Sequence, residues 1–327
     1  MTIANATPRR HRCARKRPKQ TSCVGGIGPV RSCLVALTFL LNLHLGSAQQ
    51  ENDHGDTSTA TTKQQTIAEP LLVESSGLAA SSREPGYFWS HNDSGDSARM
   101  FAFNDRGQTS GRCQLVAASA IDCEDMASFL FGGRSHLLLA DCGDNQRRRS
   151  SISLHLVEEP DPTKTTMIHR VGTIVVSYPD GPADCEAVAV DVDRGQILLI
   201  TKNSLPIARV YAVNLDCLND PLPWTKHASA TYMGAFAMPM VTAADINPRN
   251  GDLWVANYFK GFCFRCRDRN ASLAAQLNSL PEPAELPPWR QIEAIGVDAK
   301  GDVWVTSEGS PASFGRILIP PPTPLRK

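Results

Sequence analysis

One stretch of the chain decides the fold: Asp184-Cys-Glu186-Ala-Val-Ala-Val-Asp191-Val-Asp-Arg-Gly195-Gln-Ile-Leu-Leu-Ile-Thr-Lys202-Asn203. An apolar run follows the acidic triplet, a turn containing glycine comes next, and a β-rich run ends in two polar residues. Two such runs around a tight turn predict an antiparallel hairpin, because glycine tolerates the backbone angles of that turn. The polar residues at both ends of the stretch therefore meet at the open end of the hairpin.

Versions of this hairpin recur along the chain. Five segments align on the polar residue that precedes each apolar run, with intervals of 48, 62, 56 and 51 residues between the anchors Ser76, Glu124, Glu186, Thr242 and Glu293. Repeats of about 40–50 residues with about four strands each indicate a β-propeller. We predict an all-β fold, a β-propeller with five blades. Six blades is the alternative, because the 62-residue interval leaves room for another unit.

The sequence supports three further expectations about local structure. Residues 65–73 are predicted to supply an outer strand that closes the ring against the last blade. Trp89, Trp254 and Trp304 occupy matching positions of the second strand, which predicts that they are core residues. Helical periodicity is confined to residues 270–277.

The N-terminal segment differs from the rest in charge and predicts export. Residues 1–48 hold eight basic and no acidic side chains, an apolar core from Cys33 to Leu43, and small residues up to Ala48. This pattern is typical of a cleaved signal peptide, with residues 49–66 as a disordered spacer and 67–327 as the propeller. We expect a periplasmic or extracellular protein; an uncleaved N-terminal anchor is the alternative.

Composition narrows the functional classes. After residue 48 the chain holds 25 basic and 33 acidic side chains, which disfavours nucleic-acid binding. No serine-hydrolase elbow and no phosphate-binding glycine loop is found. Seven cysteines follow the signal segment, an odd number, so at least one is unpaired or intermolecular; Cys263 and Cys266 form either a local disulfide or two free thiols. We expect a monomer.

Acidic residues gather where the repeat brings strand ends together. In a propeller, the first strand of each blade starts, and the second ends, on one face near the channel. Carboxylates converging there repel each other unless they are protonated, paired or bound to a cation, and oxygen ligands favour Ca²⁺. The predicted ligands are Asp122, Glu124, Asp184, Glu186 and Glu293. Secondary metal or loop candidates are Asp93, Asp96, Asp141, Asp144, Asn145 and Glu308. The alternative is that these residues only cap strand ends.

A set of ordered motifs adds a resemblance. The segments Trp89-Ser-His-Asn-Asp-Ser-Gly-Asp96, Asp122-Cys-Glu-Asp125, Asp141-Cys-Gly-Asp-Asn145 and Asp184-Cys-Glu-Ala187 resemble a family of exported bacterial β-propeller proteins of unassigned function. More distantly, the chain is similar to the Ca²⁺-dependent gluconolactonase and paraoxonase propellers and to the propeller phytases. That resemblance implies a metal and an active site at the mouth of the channel.

Two functions fit these residues. The first is metal-dependent hydrolysis of an ester, lactone or phosphoester, in which His91 or a spare carboxylate activates water and Lys202 contacts an anionic group. The second is a non-catalytic propeller that binds a protein, a glycan or a cell-envelope component through the same face. The sequence leaves open whether the protein is an enzyme.

Overall fold

The structure, a computed structural model, describes residues 64–116 and 118–319. In this part of the chain five separate sheets follow one another, and the innermost strand of each packs against the innermost strands of its two neighbours. The inner strands thereby close into a ring around a central channel. The protein is a five-bladed β-propeller, as the sequence predicted.

The blades are built mainly from antiparallel strands in chain order. Blade 1 contains β2 (Ser75–Ala80), β3 (Tyr87–Asn92), β4 (Arg99–Asn104) and β5 (Thr109–Leu115). Blade 2 contains β6 (Cys123–Phe131), β7 (Arg134–Asp141), β8 (Ile152–Glu158) and β10 (Gly172–Ser177). Blade 3 contains β11 (Cys185–Asp191), β12 (Gln196–Thr201), β13 (Ala208–Asn214) and β15 (Thr231–Phe236). Blade 4 contains β16 (Val241–Ile246), β17 (Leu253–Asn257), β18 (Lys260–Phe264) and β19 (Glu282–Glu285). Blade 5 contains β20 (Ile292–Val297), β21 (Val303–Ser307), β22 (Ser313–Arg316) and β1 (Gln65–Thr66).

Two additional strands explain the long intervals in the repeat. Strand β9 (Thr165–Ile168) lies between β8 and β10 in sequence, but it pairs in parallel with β5 and becomes a fifth strand of blade 1. Strand β14 (Trp224–Ser229) likewise pairs in parallel with β10 of blade 2. The extra residues of the 62-residue interval therefore extend the preceding blade, and the six-blade alternative is wrong.

The N-terminal strand closes the ring. Strand β1 pairs with β22 in antiparallel register, with Gln65 opposite Phe314, so the predicted closure is confirmed, but by a strand of only two residues rather than by residues 65–73. The propeller thus begins at Gln65, two residues inside the predicted spacer. The predicted signal segment and the rest of the spacer lie outside the described residues. No helix in the described residues is long and apolar enough to cross a membrane.

The hydrophobic core lies between neighbouring blades. Trp89 and Trp254 are buried as predicted, whereas Trp304 is only partly buried and stacks on Phe314 with the ring centroids 5.0 Å apart. The helix is shorter than predicted. It spans Leu273–Leu277, because the Ser272 side chain accepts a hydrogen bond from the Ala275 amide and so caps its N-terminus.

A buried carboxylate ties the inner strands together at the channel. Asp125 of β6 is fully buried, and its Oδ2 accepts hydrogen bonds from the amides of Val188 in β11, at 2.8 Å, and Ala244 in β16, at 3.3 Å. Its Oδ1 accepts from the Met126 amide at 2.8 Å. One side chain therefore joins three blades directly beneath the face where the strand-start acids lie.

Candidate functional site

Each inner strand is irregular at its sequence anchor. The pairing of the first and second strand of every blade shifts by one residue, and the extra residue is an anchor: Ser76, Glu124, Glu186, Thr242 or Glu293. A bulge takes its residue out of the hydrogen-bonded ladder and re-aims the side chain, and bulges are frequent beside active sites. The recurring polar position of the sequence is thus a recurring bulge at one mouth of the channel, here called the acidic mouth.

Three glutamates from three blades meet around one lysine at the acidic mouth. Lys202 Nζ, at the end of β12, lies 2.9 Å from Glu186 Oε2 and 5.5 Å from the centre of the Tyr258 ring. Its positive charge also acts on Glu124 and Glu293, lowering the pKa of both against other influences. Glutamates of blades 2, 3 and 5 therefore lie close enough to Lys202 for its charge to act on all three.

The acidic mouth retains protons near neutral pH. Burial, the largest influence, raises the pKa of Glu186 to about 7 although Lys202 opposes it. Burial and then neighbouring Glu308 raise the pKa of Glu293 to about 8. Burial, followed by the charge of Glu186, holds the pKa of Glu124 well above its usual range. Carboxylates with pKa values near 7 can act as general bases.

A compact group of carboxylates lies at one side of the acidic mouth. Asp93, which follows β3, contributes a carboxylate oxygen within 4.8 Å of oxygens from Asp122 and Glu124. Gly143 packs closely against this group, since a Cβ at that position would lie 2.2 Å from Glu124 Oε1 and 2.6 Å from Asp122 Oδ2. Any other side chain at residue 143 would therefore clash with these two carboxylates. Burial raises the pKa of Asp122 to about 6, and Asp93 adds to this.

Other predicted acids are engaged in holding the loops of this face. Asp184 Oδ1 accepts a hydrogen bond from the Asp144 amide at 3.0 Å, and Asp144 Oδ2 accepts from the Arg149 amide at 2.7 Å. Arg149 Nη1 also lies 2.8 Å from Asp141 Oδ1. These contacts match the strand-capping alternative for three of the candidates.

The remaining loop candidates lie at the edge. Asp96 pairs with Arg99 at 2.8 Å and accepts a hydrogen bond from Asn92 at 2.7 Å. Asn145 is exposed, next to Asp144 in the same turn. Glu308, by contrast, lies beside Glu293 and belongs to the acidic mouth.

His91 lies below the surface of the acidic mouth. Only 1% of the residue is exposed, Nδ1 lies 2.8 Å from the Asn92 carbonyl oxygen, and Nε2 has no hydrogen-bond partner. Gly77 faces the ring so closely that a Cβ there would lie 2.3 Å from Nε2. Burial lowers the pKa of His91 and so favours the neutral ring. The catalytic role of His91 stays a prediction. Because the residue is 1% exposed, its ring is not open to solvent.

Sequence reasoning missed two residues of this face. Tyr258 follows β17 as Lys202 follows β12. The search for polar residues at the ends of second strands could therefore have found Tyr258. Arg149 carries no comparable signal, because its role depends on a loop that folds back onto Asp141 and Gly143.

We expect Glu186 and Glu293 together to lower the free energy of unfolding by about 2 kcal/mol as the pH rises from about 6.5 to about 8, allowing for the partial exposure of Glu293. The pKa values of Glu186 and Glu293 are raised in the folded state, so in this window the folded protein binds more protons than the unfolded chain, and stability decreases with pH. The pKa values of buried His91, His136 and His155 are lowered, so these residues act in the opposite direction, mainly below pH 6.5 and more weakly at the lower end of that window.

Urea unfolding at a series of pH values in the presence of a chelator measures this slope. The double variant Glu186→Gln/Glu293→Gln is expected to make the slope shallower but not flat, because the pKa values of Glu124 and Asp245 are also raised. A wild-type slope that is flat or positive between pH 6.5 and 8 would contradict the assignment.

Comparison with known proteins assigns the chain to no family. No protein-family model and no curated protein sequence matches the chain. Among solved structures, the chain is similar to one in the crystal structure of a nidogen/laminin complex, with a TM-score of 0.41 and 11% sequence identity over 72% of this chain and 73% of that chain. A likeness this distant carries no argument about function. The resemblance to lactonase and phytase propellers gains no support from these comparisons, and the five sheets themselves establish a five-bladed β-propeller.

Proposed function

We propose that the protein is an exported Ca²⁺-binding propeller that hydrolyses an ester, lactone or phosphoester at the acidic mouth. The observation that carries the proposal is the meeting of the Asp93, Asp122 and Glu124 carboxylates within 4.8 Å, next to the lysine-centred glutamates. Titratable groups with shifted pKa values at the opening of a channel are a recognised sign of a functional site.

The three-carboxylate group suits Ca²⁺ by its chemistry. Ca²⁺ binds oxygen ligands at 2.3–2.6 Å, so two ligands of one ion lie within about 5 Å of each other. The oxygens of Asp93, Asp122 and Glu124 meet that limit, and the lack of a side chain at Gly143 lets the Glu124 and Asp122 carboxylates pack against the backbone there. Glu186 pairs with Lys202, and Asp184 accepts a hydrogen bond from the Asp144 amide. These two residues and Glu293 lie outside the three-carboxylate group, so they would surround the ion without coordinating it directly.

The bound ion and the residues of the acidic mouth would have different roles in hydrolysis. A bound Ca²⁺ would polarise a carbonyl or phosphoryl oxygen of the substrate. Lys202 Nζ, partly exposed, would bind an anionic oxygen of the substrate. Glu293 is the spare carboxylate, because it lies outside the three-carboxylate group. Its deprotonated form, whose fraction increases as the pH approaches its pKa of about 8, would take a proton from water and return it to the leaving group. Tyr258, beside Glu293, would orient that carboxylate.

Calcium titration followed by a hydrolysis panel tests the proposal. Ca²⁺ at about 100 times its dissociation constant adds about 2.7 kcal/mol of stability, and we expect the melting temperature to rise by about 5 °C or more. Glu124→Gln should abolish the rise, whereas Glu285→Gln, which changes an exposed glutamate of blade 4, should leave it intact. Hydrolysis of ester, lactone or phosphoester substrates should require Ca²⁺ and should be lost in Glu293→Gln.

The outcomes separate the parts of the proposal. No change in melting temperature with Ca²⁺ would overturn the metal site. A Ca²⁺-dependent rise without turnover of any substrate class would overturn the hydrolase and keep the metal site.

A second candidate, a non-catalytic binding module, is favoured by one observation. Large exposed apolar side chains surround the acidic mouth, in the segments that adjoin its strand ends: Leu71, Val73, Ile121, Leu205, Ile207 and Phe259. Exposed apolar residues that group on one face are typical of interaction surfaces. This surface would suit a protein, glycan or envelope component bound across the mouth, with Ca²⁺ stabilising the face.

A further inference from the structure

A second cavity lies at the opposite end of the channel. The later residues of all five inner strands line it, with Ala80, Phe129, Val190, Ile246 and Val297 contributing one from each blade. Its volume is about 380 Å³, and most of its lining side chains are apolar. This cavity, here called the lower cavity, has the size and the composition of small-molecule sites in proteins.

Most polar side chains of the lower cavity are already engaged. Asp191 pairs with Arg194 at 2.6 Å, and Asp193 pairs with Arg269. The hydroxyl of Ser128 donates to Glu159, so it is also committed to a neighbour. These three side chains have partners within the chain, so they give no evidence for a ligand.

Asp245 is different, because it lines the lower cavity without a cationic partner. Its Oδ1 accepts a hydrogen bond from the Ile246 amide at 2.8 Å, and its Oδ2 accepts from the Val297 amide at 2.7 Å. Among the described residues no basic side chain forms a salt bridge with it, and burial raises its pKa to about 7. Each carboxylate oxygen can accept a second hydrogen bond, so both retain capacity for a donor in the cavity.

We propose that the lower cavity binds a small apolar amine, whose hydrocarbon body contacts the apolar walls and whose ammonium group pairs with Asp245. A partly buried carboxylate without a counter-charge is a favourable partner for a cation, and an ammonium ion supplies both the charge and the hydrogen-bond donors. An anionic ligand would instead approach three aspartates. The proposal does not depend on the function proposed for the acidic mouth, because the two sites share no residue.

Calorimetric titration with 4-phenylbutylamine tests the proposal, with the neutral 4-phenylbutanol and the anionic 4-phenylbutyrate as matched probes. We expect the amine to bind more tightly than the alcohol by about tenfold or more, as a hydrogen bond to a charged group provides. The carboxylate probe should bind more weakly than the alcohol.

Two variants locate the binding. Asp245→Asn should weaken amine binding by about tenfold and leave alcohol binding nearly unchanged. Ala299→Trp, at an exposed residue on the edge of the cavity, should weaken both probes without touching Asp245. Asp302→Asn changes an exposed acid outside the lower cavity and serves as the control. Equal binding of amine and alcohol, unchanged binding in Ala299→Trp, or no binding at millimolar amine would each overturn the proposal.

Discussion

Replacing Asp125 with alanine is expected to lower the free energy of unfolding by about 3 kcal/mol or more. The side chain is fully buried and accepts hydrogen bonds from the amides of Met126, Val188 and Ala244, in three different blades. Alanine leaves these donors without an acceptor at the channel, where each lost partner costs about 1–3 kcal/mol. Relief of the cost of burying the carboxylate offsets part of this sum.

Urea unfolding at pH 7 measures the effect, with Asp302→Ala as the matched control. Asp302 pairs with Arg316 on the surface, so its loss should cost less than about 1 kcal/mol. The variant Asp125→Asn keeps one acceptor oxygen and should fall between wild type and Asp125→Ala. If Asp125→Ala stays within 1 kcal/mol of the wild type, Asp125 does not join the blades in the way its contacts indicate.

The blade count and the ring closure could be predicted because both depend on local patterns. The anchors Glu124, Glu186 and Glu293 recur at intervals that match one blade, and residues 65–66 pair with the last blade as expected. The exchange of β9 and β14 between blades could not be predicted. A parallel outer strand has the same alternating pattern whichever neighbouring blade it joins, so the sequence does not say where it pairs.

The location of the candidate site could be predicted, but not the roles within it. Asp125 and Glu124 are adjacent acids, yet one joins three blades and the other lies at the mouth. The difference arises from the bulge at Glu124, which no residue type signals. Asp141 and Asp93 had similar motifs, yet Arg149 pairs with Asp141 whereas Asp93 lies with Asp122. Such assignments depend on which loops meet, and only the folded chain determines this.

Replacing Lys202 with methionine should lower the free energy of unfolding by about 3 kcal/mol at pH 8.5, and by less at pH 5.5. Methionine keeps most of the side-chain volume but leaves the buried Glu186 without its cation, and the charge of Glu293 without a nearby opposing charge. At low pH these glutamates are protonated, because their pKa values are raised, and the missing ammonium matters less. Lys260→Met is the matched control, since its pair with Glu285 is largely exposed and should contribute less than about 1 kcal/mol.

The same variant tests how the acidic mouth balances its charge. If Lys202 and Ca²⁺ both offset the repulsion among the glutamates, loss of the ammonium should tighten Ca²⁺ binding, because the ion then meets a more negative site. Calorimetric Ca²⁺ titration of Lys202→Met at pH 8.5 should therefore give a lower dissociation constant than the wild type, although the variant is less stable without Ca²⁺. Unchanged Ca²⁺ affinity would mean that Lys202 and the Asp93–Asp122–Glu124 group act independently. In that case Lys202 would be needed for folding stability but not for tuning the metal site.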